Sequence, residues 1–382
     1  MMLLMAALPL FATSYAQFSL SSFSAAFISD FGITNTQFSA ATLVYCVATG
    51  VLGAFGGLLA DKYGMRKVMI IMAVISTVSS ISRLFVPSFP FFLIMTLLSG
   101  ALSGAAYGIS GKIVSTWFSK KQSGFAFAVL TLIGALGVSV PQLISGSVSS
   151  YFPGMLIGGI LLGVDGICWI FFGKDKKDDS QKNEEQPIWR YLGKVIKVKE
   201  VWMVSAGLAA FSALMFSFTM LMPRTFVLMR GMDISRANSI IGVMNFSAVI
   251  GALIIPQIQL RIGKTKLFII IMASAEVLSV VLMLLVGDGL LLPVVILLGL
   301  SMSCIDAFLM SLLTDNKMIG NEVMGSASGF ATMIRFAIGG FAVPTFIVTP
   351  LTDISPYFLF ISLGVLCLVK IIMAAAIRNR RE

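Results

Sequence analysis

The feature that most constrains this chain is a succession of long apolar stretches, separated by clusters of glycine, proline and charged residues. A helix needs about 20 apolar residues to cross a bilayer, so each stretch is long enough to form one span. Charged residues make up 12% of the chain, against about a quarter in soluble proteins. We therefore predict an all-α membrane protein. Twelve spans are predicted, at residues 4–28, 36–60, 68–86, 89–116, 123–146, 153–173, 200–222, 236–259, 267–286, 290–313, 323–347 and 356–376.

A polar segment divides these stretches into two sets of six. Residues 174–199 begin with the sequence KDKKDDSQKNEEQP, which carries charges of both signs and has no apolar face. The predicted domains are a six-helix bundle over residues 1–173, this linker, and a second six-helix bundle over residues 200–382. No Lys or Arg precedes the first stretch, which is also too long for the apolar core of a signal peptide, so we predict a retained span there.

Lysine and arginine are distributed unevenly between the two ends of the predicted spans. The chain has 27 of them against 17 acidic residues. When the linker and both termini are placed on one side, that side carries twenty, and the other side carries only Arg224, Arg230 and Arg236. Cytoplasmic segments of membrane proteins are enriched in these residues. We predict a multi-pass protein of the cell (inner) membrane with both termini and the linker in the cytoplasm, and no role in nucleic-acid binding.

The two sets of stretches resemble each other at an offset of about 200 residues. Gly64 corresponds to Gly263, and Pro141 corresponds to Pro344. Duplicated halves of this kind form two pseudo-symmetric bundles that enclose a cavity. Glycines three and four residues apart in the second and fourth stretches predict close packing of these helices. They are Gly50, Gly53, Gly56, Gly57, Gly100, Gly104, Gly108 and Gly111.

The loop between the second and third stretches carries a more specific signal. It reads Gly57-Leu-Leu-Ala-Asp61-Lys62-Tyr-Gly64-Met65-Arg66-Lys67, and it resembles the signature loop of the major facilitator superfamily. The resemblance extends over the whole chain, although the loop departs from the family pattern at Met65. It implies twelve transmembrane helices in two pseudo-symmetric six-helix bundles and secondary active transport by alternating access.

This loop is predicted to act as a conformational latch. Gly57 and Gly64 let helix ends approach closely and turn sharply. Asp61 offers a negative charge to Arg66 or to the N-terminus of a neighbouring helix. The resemblance implies that Asp61 stabilises the outward-open state. The alternative interpretation is a hydrophilic turn with ordinary cytoplasmic charges.

Ionisable residues inside the spans are the candidates for function, because a charge at the membrane centre costs about 2.5–3.5 kcal/mol on insertion scales and therefore requires a partner or a wet cavity. The resemblance implies that the first, fourth, seventh and tenth helices line the cavity, with the second, fifth, eighth and eleventh beside them. Arg335 then ranks first, followed by Lys112 and Asp306, and we predict that Arg335 and Lys112 bind an anion. The full set is Arg83, Lys112, Asp165, Glu276, Asp306, Arg335 and Lys370.

Two carboxylates are candidates for proton coupling, since a desolvated carboxylate loads a proton more readily. Asp306 is the first and Glu276 the second, although structural pairing is the favoured role of Asp165, Glu276 and Lys370, which lie on outer helices. For Arg335 and Asp306, a permanent buried ion pair is the alternative to a functional site. Further polar residues predicted to line the cavity are Tyr15, Gln17, Tyr107, Gln142 and Asn245.

The substrate class follows from a local resemblance. Residues 104–143 are similar to the fourth and fifth helices of nitrate/nitrite and oxalate/formate porters in the same superfamily. The second and eighth stretches lack the arginines that nitrate porters use there, whereas a cation on the eleventh helix suits the oxalate/formate pattern. We predict transport of a small organic anion, by proton symport or anion exchange. The alternative is proton-coupled efflux of hydrophobic or drug-like compounds.

Other classes of protein are disfavoured by what the chain lacks. It contains no histidine, and its four cysteines show no paired spacing, so neither a metal site nor a cofactor is predicted. No clustered nucleophile and base indicates an enzyme, and no symmetric filter indicates a channel. The predicted partners are a small-molecule anion, the lipid bilayer and protons, and the predicted oligomeric state is a monomer.

Overall fold

The backbone is helical throughout the regular structure that the computed structural model describes. It describes residues 2–85, 88–118, 120–145, 150–175, 193, 195–314 and 321–377, and no β-strand occurs among them. The first half contains, in order, α1 (Met2–Phe18), α2 (Ser24–Phe31), α3 (Asn35–Leu43), α4 (Tyr45–Tyr63), α5 (Met65–Ser82), α6 (Phe89–Ser99), α7 (Ala101–Trp117), α8 (Lys120–Ile144) and α9 (Tyr151–Phe172).

The second half repeats this succession of long helices. It contains α10 (Lys199–Arg230), α11 (Ile234–Ile262), α12 (Thr265–Leu285), α13 (Asp288–Met302), α14 (Ile305–Thr314), α15 (Asn321–Ile334), α16 (Thr349–Ile354) and α17 (Tyr357–Ala376). Between α15 and α16 the backbone is π-helical over Arg335–Ala342 and Pro344–Val348.

Ten helical runs within the described residues are long and apolar enough to cross a membrane. Two shorter apolar helical segments, Met2–Phe18 and Leu132–Ile144, lie where the first and fifth spans are predicted. Several predicted spans consist of two consecutive helices, as α3 and α4 do on either side of Val44. The prediction of an all-α membrane protein is therefore confirmed, whereas the count of twelve and the division at residues 174–199 stay predictions.

Polar side chains cap the starts of several helices, among them α3 and α11. Thr34 Oγ1 accepts a hydrogen bond from the Gln37 backbone N–H at 3.2 Å, and Gln37 Oε1 accepts one from the Thr34 N–H at 2.8 Å. This is the predicted capping box, which satisfies two donors that a helix start leaves unpaired. At the start of α11, Asp233 accepts from the backbone N–H groups of Ser235 and Arg236.

Glycines let α4 and α7 pack backbone to backbone, as their spacing predicts. A Cβ placed on Gly108 would lie 3.0 Å from the Gly53 carbonyl oxygen, and one on Gly56 would lie 3.2 Å from Ala105 Cα. Larger side chains would force these helices apart. The close pair forms one wall of the space between the two halves of the chain.

The two halves also meet at the end remote from the linker. Asn35 Nδ2 donates to Asp353 Oδ1 at 2.8 Å, and the Ser39 and Thr349 hydroxyls lie 2.9 Å apart. Arg224 of α10 forms an ion pair with the same Asp353 oxygen at 2.9 Å. We call Asn35, Ser39, Arg224, Thr349 and Asp353 the distal contacts. They join the halves on one side of the cavity described next.

Candidate functional site

A cavity of about 430 Å³ lies between the two halves. Both halves contribute to its walls, and its polar lining residues alternate with aromatic and apolar ones. The volume falls in the range of small-molecule sites, which are mostly apolar with a few convergent polar groups. The polar and charged residues that line it are Ser14, Gln17, Thr49, Ser103, Tyr107, Ser110, Ser212, Asn245, Ser303, Asp306 and Arg335.

Close packing of the π-helical segment against α10 brings Arg335 into this cavity. A Cβ on Gly339 would lie 2.6 Å from Ala209 Cα, so only glycine permits this approach without a shift of the backbone. One turn earlier in the segment, Arg335 Nε donates a hydrogen bond to Ser212 Oγ at 3.2 Å. π-helical turns inserted in α-helices recur at functional sites, which is consistent with this placement.

Arg335 forms an ion pair across the cavity wall with Asp306. Arg335 Nη2 lies 3.1 Å from Asp306 Oδ2, and the two side chains are 18% and 29% exposed. The guanidinium carbon also lies 5.5 Å from the centroid of the Phe211 ring and 5.0 Å from that of Phe336. Because both charged groups border the cavity, a ligand within it can reach either one. The aromatic rings restrict the guanidinium while leaving part of it accessible.

Three of the predicted polar lining residues reach the cavity. Gln17 lines it and donates from Nε2 to Cys46 Sγ at 3.3 Å. Tyr107 lines it as well, with its ring 5.3 Å from the ring of Phe336. Asn245 is the third. All three can offer hydrogen bonds to a ligand held beside Arg335.

Gln142 and Tyr15 occupy other positions. Gln142 is buried outside the lining, and its Oε1 accepts a hydrogen bond from Asn245 Nδ2 at 2.8 Å. This bond joins α8 of the first half to α11 of the second. Tyr15 is buried beside Phe11, with ring centroids 6.3 Å apart, and it does not belong to the residues lining this cavity.

Of the other charged candidates, Glu276 lies away from the cavity. Glu276 is fully buried between α12 and α17, where it forms an ion pair with Lys370. Structural pairing of these two residues is thus what the geometry shows, because each charge neutralises the other away from the cavity. Lys112 belongs to α7, but its side chain lies outside the described residues.

The loop of the predicted latch contacts Asp175 within the described residues, and the role of Asp61 stays a prediction. Gly64 has φ +88°, a conformation that favours glycine, and it separates α4 from α5. The backbone N–H of Arg66 donates to Asp175 Oδ1 at 3.0 Å, and the Arg66 guanidinium donates to the Ile170 carbonyl oxygen. Asp175 therefore stands at the N-terminus of α5. The Asp61 side chain lies outside the described residues.

Sequence reasoning did not single out Ser212, Phe211 or Asp175. Ser212 is a small polar residue in the apolar α10, and only the register of that helix against Arg335 distinguishes it from other buried serines. Asp175 lies in a run of charged residues that gives no signal of one particular contact.

Residues 7–344 match the sequence profile of the Major Facilitator Superfamily, and the chain belongs to that family. Its fold superposes with a TM-score of 0.75 on a crystal structure of a mutant of the nucleoside transporter NupG, at 16% identity, covering 97% of this chain and 98% of the other. The chain is thus a multi-pass membrane protein of this superfamily, as the loop at Gly57 and Gly64 predicts.

Two curated relatives are transporters of named anions. The probable nitrate/nitrite antiporter NarK1 of Thermus thermophilus is 24% identical over 234 residues, which cover 57% of this chain and 52% of NarK1. The probable sulfoacetate transporter SauU of Cupriavidus necator is 23% identical over 164 residues, which cover 42% and 38% of the two chains. The chain thus matches about half the length, or less, of these relatives.

Proposed function

We propose that the protein moves a small organic anion across the membrane by alternating access, with Arg335 as the residue that binds the anionic group. The observation that carries this proposal is the partly exposed Arg335 guanidinium in a cavity between the halves, paired with a partly exposed Asp306. A charge-assisted hydrogen bond from arginine to a carboxylate is among the stronger polar contacts in proteins. The names of the two anion-transporting relatives support the same class of substrate.

The dimensions and lining of the cavity favour an organic anion over an inorganic one. Its volume of about 430 Å³ exceeds what an ion of a few atoms fills. Phe211, Phe336 and Tyr107 surround the charged end and offer apolar contact to a carbon skeleton. Gln17 and Asn245 are placed for additional polar groups of the ligand. A small carboxylate with an organic body matches this combination best.

Asp306 gives a physical basis for coupling to protons. When the substrate anion takes the place of Asp306 at Arg335, Asp306 is left beside a second negative charge in a site of low polarity. A proton on Asp306 removes this repulsion. We propose that Asp306 is protonated when the anion binds, which makes the transport proton symport. The alternative is anion exchange, in which the anion carried in the opposite direction binds at the same position beside Arg335. Asp306 then pairs with Arg335 only while no anion is bound.

A transport assay in liposomes tests the proposal. Purified protein is reconstituted, and uptake of labelled monocarboxylates and dicarboxylates is measured with and without a pH gradient, and with unlabelled carboxylate inside. Nitrate and nitrite serve as inorganic comparisons. We expect uptake of at least one carboxylate, and Arg335→Gln is expected to raise its KM by about 10- to 100-fold, since a hydrogen bond to a charged group contributes about 1.5–3 kcal/mol.

Arg236→Gln is the matched control, because Arg236 is an exposed arginine at the start of α11, away from the cavity. It should leave the KM unchanged. Carboxylate uptake that Arg335→Gln leaves intact would contradict the role of Arg335. If no carboxylate moves under any condition while a hydrophobic cation is exported, the efflux alternative replaces the anion proposal.

A further inference from the structure

The two halves of the chain place the same set of buried positions between equivalent helices. In the first half α5 packs on α9, and in the second half α12 packs on α17. Six buried positions of α5 have a buried counterpart in α12, 200 residues later in the chain. In α5 they are residues 68, 69, 73, 76, 79 and 80. Six buried positions of α9 likewise have a buried counterpart in α17, 205 residues later. In α9 they are residues 154, 155, 158, 162, 165 and 169.

This correspondence pairs Glu276 with Ser76 and Lys370 with Asp165. In the second half the two positions hold opposite charges, and Glu276 and Lys370 form a fully buried ion pair. In the first half the same positions hold a serine and an acid. The Ser76 hydroxyl is already engaged, since it accepts a hydrogen bond from the Leu102 backbone N–H at 2.9 Å. Asp165 thus lacks the cation that its symmetry mate would lead one to expect.

Among the described residues, no substitute for that cation contacts Asp165. Asp165 is fully buried, and neither of its carboxyl oxygens has a hydrogen-bond partner among the described residues. Trp169 lies one turn further along the same face of α9, and its indole N–H is also unpartnered within the described part of the chain. Ala73 of α5 packs directly against Gly166.

The described charges nearest to this level on α5 or at its end are Lys67, which is exposed, and Arg83, which directly follows α5, and both lie at a different depth from Asp165. Thr77 packs beside Gly163 and Ile81 beside Gly159, so the antiparallel helices place Arg83 level with residues near 157. Eight residues of helix correspond to about 12 Å along the axis. Arg83 is buried and donates to Ser80 Oγ at 2.9 Å instead. α1, which also packs on α9, has no charged residue.

We propose that Asp165 is a proton-binding site of the first half, separate from the substrate cavity, and that the folded protein holds its carboxyl group neutral. A buried carboxylate with neither a cation nor a hydrogen-bond donor is strongly disfavoured, and such a group takes up a proton. In the second half, the charge of Lys370 neutralises the buried Glu276. In the first half, a bound proton neutralises Asp165, so that neither pair of equivalent helices buries a net charge. The substrate cavity plays no part in this inference.

Infrared spectroscopy of the purified protein in lipid tests the proposal directly. A protonated carboxyl group has a C=O stretching band that shifts when H₂O is exchanged for D₂O, whereas a carboxylate lacks this band. The difference spectrum between the unchanged protein and Asp165→Asn is recorded at neutral pH. We expect it to contain the carboxylic acid band. A difference spectrum that shows carboxylate bands instead would overturn the proposal.

Thermal stability of two matched variants gives a second, independent readout. Asparagine reproduces the size and neutrality of protonated aspartic acid, so Asp165→Asn should unfold within a few degrees of the unchanged protein. Glu276→Gln leaves the Lys370 charge buried without its partner and should lower the apparent Tm by roughly 10 °C. If Asp165→Asn is destabilised as strongly as Glu276→Gln, or fails to fold, then Asp165 is ionised and the proposal is wrong.

Discussion

At the scale of single residues, the position of the Arg335 guanidinium depends on Ser212. The Ser212 hydroxyl accepts from Arg335 Nε, while Asp306 pairs with Nη2 at the other end of the group. Two fixed contacts restrict the orientation of the planar guanidinium more than one contact does. Less orientational freedom is then lost when an anion binds to it. If Arg335 binds the anion as proposed, Ser212 contributes to that binding through Arg335 and need not touch the substrate itself.

Replacement of Ser212 by alanine should weaken anion binding without abolishing it. Loss of one hydrogen bond of about 0.5–1.5 kcal/mol corresponds to a rise in Kd of roughly 2- to 12-fold. The measurement is a titration of the purified protein with the carboxylate found in the uptake screen. Ser217→Ala is the matched control, because Ser217 is a buried serine of the same helix outside the cavity lining. Equal affinities for both variants would contradict the role given to Ser212.

The sequence predicted the identity of the central residue better than its surroundings. Arg335 and Asp306 belong to seven residues that stand out because charges are rare and costly within spans, and the family resemblance then ranks these two among the first. Gln142 and Glu276 were also selected as polar residues within spans, yet they pair with Asn245 and Lys370. A polar residue signals only that it needs a partner, and whether the partner is a ligand or another side chain depends on helix rotation. That information lies in tertiary packing and not in a single span.

At the scale of helices, the contact between the π-helical segment and α10 determines where Arg335 points. A methyl group at Gly339 would meet the Ala209 backbone, which cannot move aside as a flexible side chain can. Separation of the two helices would carry Arg335 away from Ser212 and Phe211. The spacing of small residues predicts that such close contacts exist, but not that this one positions a charge.

Gly339→Ala should therefore lower both stability and anion binding. Overpacking of a tight interface costs about 1–3 kcal/mol, and we expect a lower apparent Tm together with a raised Kd for the carboxylate. Gly364→Ala in α17 is the matched control, because a Cβ at Gly364 meets no atom within 4 Å. Gly364→Ala should leave the Tm equal or slightly higher, because alanine has a higher helix propensity than glycine. Normal anion binding by Gly339→Ala would rule out this contact as the determinant of the Arg335 position.

At the scale of the whole molecule, the distal contacts hold the two halves together on one side of the cavity. Asp353 is central to them, since it accepts from Asn35 of the first half and pairs with Arg224 of the second. Alternating access requires these contacts to break when the cavity opens at that end. Under the proposed alternating access, their strength therefore sets part of the equilibrium between the two open states.

Asp353→Asn should shift this equilibrium toward opening at the distal end. The contact that Asp353 makes between the halves is the hydrogen bond from Asn35, and loss of a hydrogen bond of about 0.5–1.5 kcal/mol changes the population by at most about 12-fold. Cys46 is buried close to Gln17, so its reaction with a thiol reagent can report on opening at the distal end. For this purpose Cys168, Cys304 and Cys367 are replaced by alanine. A membrane-impermeant maleimide added on the distal side should then label Cys46 faster.

The control for this measurement is Asp288→Asn, at the same end of the molecule. Asp288 pairs with Arg230 at 2.9 Å, but both residues belong to the second half. Its loss should leave the labelling rate of Cys46 unchanged, because no contact between halves is broken. Similar rates in both variants would show that Asp353 does not hold the halves together.

The opposite charges of Arg335 and Asp306 have a consequence for energetics in a living membrane. Because the two groups neutralise each other, this pair adds no net charge when the unloaded protein reorients, and the transmembrane voltage performs no work on it. Once an anion has bound, the charge at the site differs by one unit unless a proton accompanies it. Under the proposed function, voltage therefore acts on the bound anion and any proton that accompanies it, and recordings of current during turnover would report the ratio of protons to anions.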